Sequence, residues 1–350
     1  MFTLRRWPPE AIRAAQRLRQ ADLSDLCFRG VRGASVRRGA LRAAAWGVVA
    51  AGVAAPLLRK RISAPPVAVQ AVAFAAPFGL CVAVRRSRTR DVTVCALQMW
   101  AYLAAYKSPH DDPAAQERRV HVDYPILADR ILGFGELPSR RLQRALAREP
   151  LPGARWGVLD RVLVWAHWMW FMVPHGTVIY ILVRYPGRFP RAAVMTYAVF
   201  DLGASVYWLL PTAPPWYAAS LAADRGDGKP LVRRMMVEYG EQFWKDGWGS
   251  LYSVFGGNPL AAMPSLHFAT SVMAALLLAE VGPVAGALGF SYAAALGFAL
   301  VYLGEHYVVD LLAGAALTAA VRRLEPHARP AVERVGRAVS ALEAMAHEAS

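Results

Sequence analysis

Long apolar blocks, nearly free of charge and set between arginine-rich or proline-rich breaks, constrain this chain more than any other feature. They run over Ala43–Leu58, Ile62–Val84, Val92–Tyr106, Val162–Val183 and Ala192–Leu210, and further ones follow Met263. A helix rises about 1.5 Å per residue, so about 20 apolar residues cross the ~30 Å hydrocarbon layer of a bilayer. Soluble domains spread apolar residues at helical or strand period, whereas here they are clustered. The fold class this predicts is all-α, a multi-pass transmembrane helical bundle. Val92–Tyr106 is short for a span and contains Gln98, so it is expected to tilt, to lengthen to Lys107 or to re-enter.

The 350 residues are 56% hydrophobic and carry a net charge of +15. The arginines flank the apolar blocks, as the positive-inside bias places them, which argues against a nucleic-acid partner. They also suggest a division: a basic cytoplasmic N-terminal tail over 1–42, a transmembrane catalytic domain over 43–321, and a cytoplasmic, helical C-terminal tail over 322–350. Part of the first tail reads as an amphipathic surface helix or a loose basic arm. Its basic stretch is too long for a secretory signal peptide. In the last tail Val332, Val335, Val339, Leu342 and Ala346 recur at helical spacing, the pattern of a surface helix. Arg184, Arg188 and Arg191 form a basic turn that belongs with the two tails on the cytoplasmic side. Arg59, Lys60 and Arg61 then fall on the opposite side, against the rule.

Residues 107–157 read as a polar connection with short helices near Ile126–Leu132 and Ser139–Arg148. Pro211-Thr212-Ala213-Pro214-Pro215-Trp216 cannot continue a helix, and Trp216 has the character of an interfacial anchor. A polar loop then leads to Gly256-Gly257. Cys27, Cys81 and Cys95 form neither a disulfide framework nor a zinc pattern and read as packing residues.

The stretch from Met263 to Gly314 carries the chemistry. Met263-Pro264-Ser265-Leu266-His267 opens an apolar run that turns at Gly282-Pro283 and returns to Leu303. Gly304-Glu305-His306-Tyr307-Val308-Val309-Asp310 opens the next. Two helices joined by a tight turn form a hairpin, so His267 and His306 are expected at one membrane face. Asp310, four residues after His306, shares its helical face. An aspartate accepting from one imidazole nitrogen fixes the tautomer and raises the basicity of the other. His306 backed by Asp310 then suits a nucleophile, and His267 suits general acid–base work. Pro264 fits a first helical position, leaving free N–H groups around Ser265–His267 for an anion such as phosphate. Two histidines and one aspartate also make three possible zinc ligands, although no HExxH or cysteine pattern supports a metal.

These two motifs resemble the second and third motifs of the type-2 phosphatidic acid phosphatase superfamily. The likeness is greatest to the branch containing inositol phosphorylceramide synthase and sphingomyelin synthase. It is strong over about 258–318 and extends to Asp129-Arg130 and Pro211–Trp216, which look like other stretches of bacterial members. The resemblance implies a six-helix membrane core and transfer of a phosphoryl or phospho-head group through a phosphohistidine-type intermediate, without metal or other cofactor. It assigns His306 as nucleophile, Asp310 as its orienting partner, His267 as acid/base and Ser265 as a phosphate contact. Its partners would be membrane lipids carrying a phosphate group. By the charge bias its active site would face the extracytoplasmic side of the cell membrane.

Two departures stand out. The phosphatase branch keeps Ser-Arg ending six residues before the nucleophilic histidine, where this chain has Ala299 and Leu300. The first phosphatase motif, a lysine followed by Arg-Pro, has no clean match. Lys107 and Arg130 are the candidates to neutralise the phosphate, with Arg118 and Arg119 behind them. Water or an alcohol such as inositol would be activated by the same His267, so hydrolase and transferase stay open. The alternative class is a non-enzymatic transporter or anionic-lipid-binding protein. His167 and His175 read as packing residues with one hydrogen bond each, and the Trp-rich segments as interfacial anchors.

Overall fold

The computed structural model describes residues 36–61, 64–147, 156–224, 231–249 and 258–347. Most of the N-terminal tail, Cys27, Arg148 and Gly256-Gly257 lie outside these residues. The described chain is an all-α helical bundle. Its main helices are α1 Val36–Leu58, α2 Pro66–Ala83, α3 Arg88–Lys107, α4 Asp123–Leu132, α5 Pro138–Leu146 and α6 Val158–Arg184. They continue as α7 Phe189–Leu209, α8 Pro215–Ala222, α9 Met235–Trp244, α10 Leu266–Val281, α11 Pro283–Tyr302 and α12 Val308–His347. Among the described residues five helices are long and apolar enough to cross a membrane: α1, α2, α6, α7 and α11. The shorter α10 is also apolar.

Several boundaries differ from the sequence-based expectation. The first helix begins at Val36, inside the stretch expected to be tail, because Arg37, Arg38 and Arg42 extend it outward as basic first turns. The block holding Gln98 is a full 20-residue helix. Gln98 is accommodated by donating to Asp201 Oδ2 of α7 at 2.8 Å, which pairs two polar groups between neighbouring helices. A 3₁₀ turn at Met169–Phe171 interrupts α6.

Past Val321 the last span runs without a break into the stretch expected to be a helical tail. α12 continues for 40 residues through Pro326 and Pro330. Its far end is anchored: Glu343 accepts from Arg90 at 2.7 Å and from the Arg86 N–H at 2.9 Å. Ala346 is buried against Ala45, Val82 and Ala83. Nearer its middle, Glu325 meets Arg191 at 3.4 Å, and Glu280 binds both Arg191 and Arg322. The arginine-rich turn after α6, the α10–α11 turn and α12 therefore close one end of the bundle together.

Small residues set the helix spacing around the α10–α11 hairpin. A Cβ on Gly289 would stand 2.7 Å from the Ala275 backbone, and one on Gly286 equally close to Ala279. Such close approach favours helix association in lipid. At the opposite end, His121, Thr212 and Ala261 pair through two parallel bridges. That seam joins the segment before α4, the proline-rich segment after α7 and the residues leading into α10. Arg59 also sits at this end, bound to Asp111 at 2.7 Å, so an acidic partner offsets its charge.

Candidate active site

The start of α10 is held on several sides. Ser265 caps the helix, its Oγ accepting the Phe268 N–H at 3.3 Å. The Tyr207 hydroxyl donates to the Pro264 carbonyl at 2.7 Å, and the Met263–Pro264 peptide is cis. The Ser265 N–H donates to the Asp310 carbonyl at 2.9 Å, which ties α10 directly to the first turn of α12. Gly314 lets the two helices come this close: a Cβ there would lie 2.6 Å from the Ser265 carbonyl oxygen.

The start of α12 is held just as firmly. Between α11 and α12 the chain turns at Gly304, whose φ of +79° falls in the left-handed region that glycine tolerates. A side chain there would also run into the Arg233 carbonyl. Asp310 Oδ2 accepts the Tyr307 N–H at 2.9 Å. The N–H groups of Val308 and Val309 donate to the two oxygens of Asp129 in α4, at 3.1 and 2.9 Å. Asp129 is fully buried, and burial pushes its carboxyl above the ordinary range although both N–H donors pull the other way.

Between these two helix starts the sequence-identified residues meet. His306 Nδ1 lies 3.2 Å from Asp310 Oδ2, and His306 Nε2 lies 3.2 Å from His267 Nδ1. Asp310 can only accept, so Nδ1 of His306 donates to it and Nε2 keeps its lone pair, facing His267. Ser265 and Asp310 are fully buried and His306 nearly so, while His267 is partly exposed. The arrangement can therefore present a lone pair to an incoming electrophile and, from His267, a proton beside it.

The residues expected to neutralise the phosphate lie at different places in the fold. Arg130 is exposed on the turn beside buried Asp129. Lys107 ends α3 close to Arg59. Arg118 is exposed, and Arg119 caps the last turn of α7 by donating to the Trp208 carbonyl at 2.9 Å. The guanidinium next to the motif is instead Arg234, which precedes α9. It binds Glu305, the neighbour of His306, at 3.1 Å and stacks 3.8 Å over the Trp216 ring. The only hint in the sequence is that Glu305 lies inside the motif and needs a cation.

His167 and Trp170 also depart from expectation. The His167 ring stacks on His267 with centroids 5.0 Å apart. Trp170 packs against His267 with ring centroids 4.1 Å apart and donates to Thr270 at 2.9 Å, so it lines the site. His175 keeps the packing role expected of it, its Nδ1 donating to the Phe171 carbonyl at 2.8 Å.

A family model described as the PAP2 superfamily matches residues 145–324, more than half of the chain and all of the motif region. The chain belongs to the PAP2 superfamily. Among its PAP2 relatives, an inositol phosphorylceramide synthase catalytic subunit of Schizosaccharomyces pombe is 32% identical over 139 residues, 38% of this chain and 31% of the relative. An inositol phosphorylceramide synthase of Candida albicans is 28% identical over 173 residues, 47% of this chain and 36% of the relative. A phosphoinositol dihydroceramide synthase of Bacteroides thetaiotaomicron is 29% identical over 164 residues, 45% of this chain and 53% of the relative. The matched stretches thus span less than two thirds of these relatives' own length. No solved structure matches this PAP2 chain.

Proposed function

We propose that this PAP2 protein is a membrane enzyme that moves a phospho-head group between lipid-borne alcohols through a covalent phosphohistidine on His306. The observation that carries this reading is the relay Asp310–His306–His267, with two links of 3.2 Å. In the first half-reaction the lone pair of His306 Nε2 attacks phosphorus. The bond from phosphorus to the lipid alcohol breaks, and the departing oxygen takes a proton from His267. In the second half, an acceptor hydroxyl gives its proton to His267 and attacks phosphorus. The P–N bond then breaks and its electron pair returns to His306. Protons and charge balance over the cycle, and His267 ends as it began. General acid–base help of this kind contributes about 10²–10⁴-fold.

Asp310 orients His306 and favours the cationic ring of the intermediate. Ser265 and the first turn of α10 lie beside the relay with the partial positive charge of a helix N-terminus, which suits phosphate oxygens. The head group and acceptor are carried over from the relatives' names, a phosphoinositol group and a ceramide; water is the competing acceptor. The arginines of the turn after α6 and of α12 favour the cytoplasm for the other end of the bundle, which supports an extracytoplasmic site.

The test is a product profile from purified, reconstituted protein given labelled phosphatidylinositol, with and without ceramide and with a chelator present. Diacylglycerol and a phosphoinositol-bearing ceramide are expected from wild type, and neither from His306→Ala inserted at the same level. Turnover by His306→Ala sinks the nucleophile assignment. Release of inositol phosphate alone makes the protein a hydrolase, and loss of activity in chelator removes metal independence. A wild type that binds the lipid without turnover supports a non-enzymatic binder instead.

A further inference from the structure

His167 carries two ring nitrogens that the protein leaves without a partner. It lies mid-way along α6, it is 9% exposed, and neither ring nitrogen has a hydrogen-bond partner in the protein. A buried imidazole left unpaired on both nitrogens is costly, since each unmade bond keeps its desolvation penalty. Its ring is stacked on His267, so it lines the space in which the relay operates. The charged and titratable groups whose fields reach it are Glu305, His306 and Arg234, all belonging to the same corner.

The two empty nitrogens are complementary. A neutral imidazole has one N–H that donates and one lone pair that accepts. A phosphate dianion accepts only, so it satisfies one nitrogen and leaves the other bare. A hydroxyl both donates and accepts. Glu305 adds an acceptor and Arg234 donors within the same corner, the complement expected for neighbouring hydroxyls.

We propose that His167 is a substrate-contacting, specificity-determining residue that hydrogen-bonds hydroxyls of the phospho-head group while His306 takes its phosphorus. This rests on the head-group-transfer reading above. It assigns the wall formed by α6 to the head group and separates that contact from the phosphorus-handling relay. His167 then contributes to the choice among lipids and not to breaking of the P–O bond. Sequence spacing gives no hint of this, because stacking between α6 and α10 joins positions 100 residues apart, as the neighbouring Trp170–Thr270 bond also does.

Diacylglycerol release from two donors tests the proposal: phosphatidylinositol, which carries a polyol, and phosphatidic acid, which carries none. Full-length protein is compared as wild type, His167→Leu and His167→Asn. Asparagine keeps one donor and one acceptor, and it reports whether the position tolerates change. In His167→Leu, kcat/KM for phosphatidylinositol is expected to fall about 10²-fold or more relative to phosphatidic acid, because the buried hydroxyls lose their partner. His167→Asn is expected to recover most of that ratio. Equal losses on both donors, with no recovery in His167→Asn, overturn the head-group contact and make His167 a packing residue. A wild type that releases diacylglycerol from phosphatidic acid but not from phosphatidylinositol overturns the transfer reading itself. Those two failures are distinguished by the wild type alone.

Discussion

His267 Nδ1 and His306 Nε2 face each other at 3.2 Å, so the lone pair assigned to attack phosphorus rests against the group assigned to supply the proton. The pair separates the two roles experimentally. Replacing His267 with Asn removes the acid but leaves the Asp310–His306 pair intact. With an alkyl lipid donor the rate is expected to fall about 10²–10⁴-fold. With a nitrophenyl phosphodiester, whose leaving group departs without a proton, the first half-reaction is expected to fall far less. Comparing the nitrophenolate burst with steady-state alkyl turnover checks this; equal losses on both donors contradict the assignment of the proton to His267.

Asp129 joins α4 to the first turn of α12 and is expected to matter more than the exposed Arg130 beside it. Asp129→Ala leaves the part-buried Val308 and Val309 N–H groups unpaired, and a donor fully cut off from water costs about 1–3 kcal/mol, an upper bound for each of them. Thermal unfolding in detergent should register that loss, together with reduced turnover, while Arg130→Ala stays near wild type in stability.

The same carboxyl gives a pH signature. Burial makes it harder to ionise in the folded than in the unfolded chain. Its stabilising contribution is therefore complete below the ordinary carboxylate pKa of about 4 and is lost as pH rises through the raised folded value. A non-titrating Asp129→Asn variant should gain on wild type in Tm as pH climbs through that window. A gap that stays constant with pH contradicts the raised pKa.

Gly314 is the contact point that sets Asp310 beside Ser265. A Cβ there would stand 2.6 Å from the Ser265 carbonyl, and overpacking of this kind costs about 1–3 kcal/mol. Gly314→Ala is expected to insert into membranes yet lose most turnover, because α12 must shift away from α10. A control at Gly176, where an added Cβ meets nothing within 4 Å, should leave turnover unchanged in Gly176→Ala.

The assigned orientation is testable with single cysteines in a variant whose three native cysteines are replaced by serine. A membrane-impermeant maleimide should label Ala114→Cys, at the seam end, in intact cells. It should label Gly187→Cys, in the arginine-rich turn, only after permeabilisation. The reverse pattern places the site on the cytoplasmic side.

The spans and the His267–His306–Asp310 corner were legible because both depend on local facts. Apolar composition sets a span, and a hairpin of two similar arms returns His306 to the level of His267. What escaped depends on contacts between distant segments. His167 looked like packing because nothing near it in sequence is polar chemistry; its meaning comes from α10. Arg234 comes beside the motif from a segment whose path the sequence does not show. The tail over 322–350 is helical as its spacing suggests, but its continuity with the last span is hidden by Pro326 and Pro330, which usually interrupt a helix. Here the contacts of Glu325 and Glu343 hold the far side in line.

The bond from Asp129 to Val308 also orders events during synthesis. The donor is made 179 residues after the acceptor. Until then α4 carries a carboxylate with no backbone partner, and His267 waits without His306. The relay, its aspartate and its supporting cap are assembled only once α12 has reached the membrane. A chain cut short before α12 has Ser265 and His267 in place but neither Asp310 nor the Asp129 contacts, so the proposed chemistry waits on that one helix.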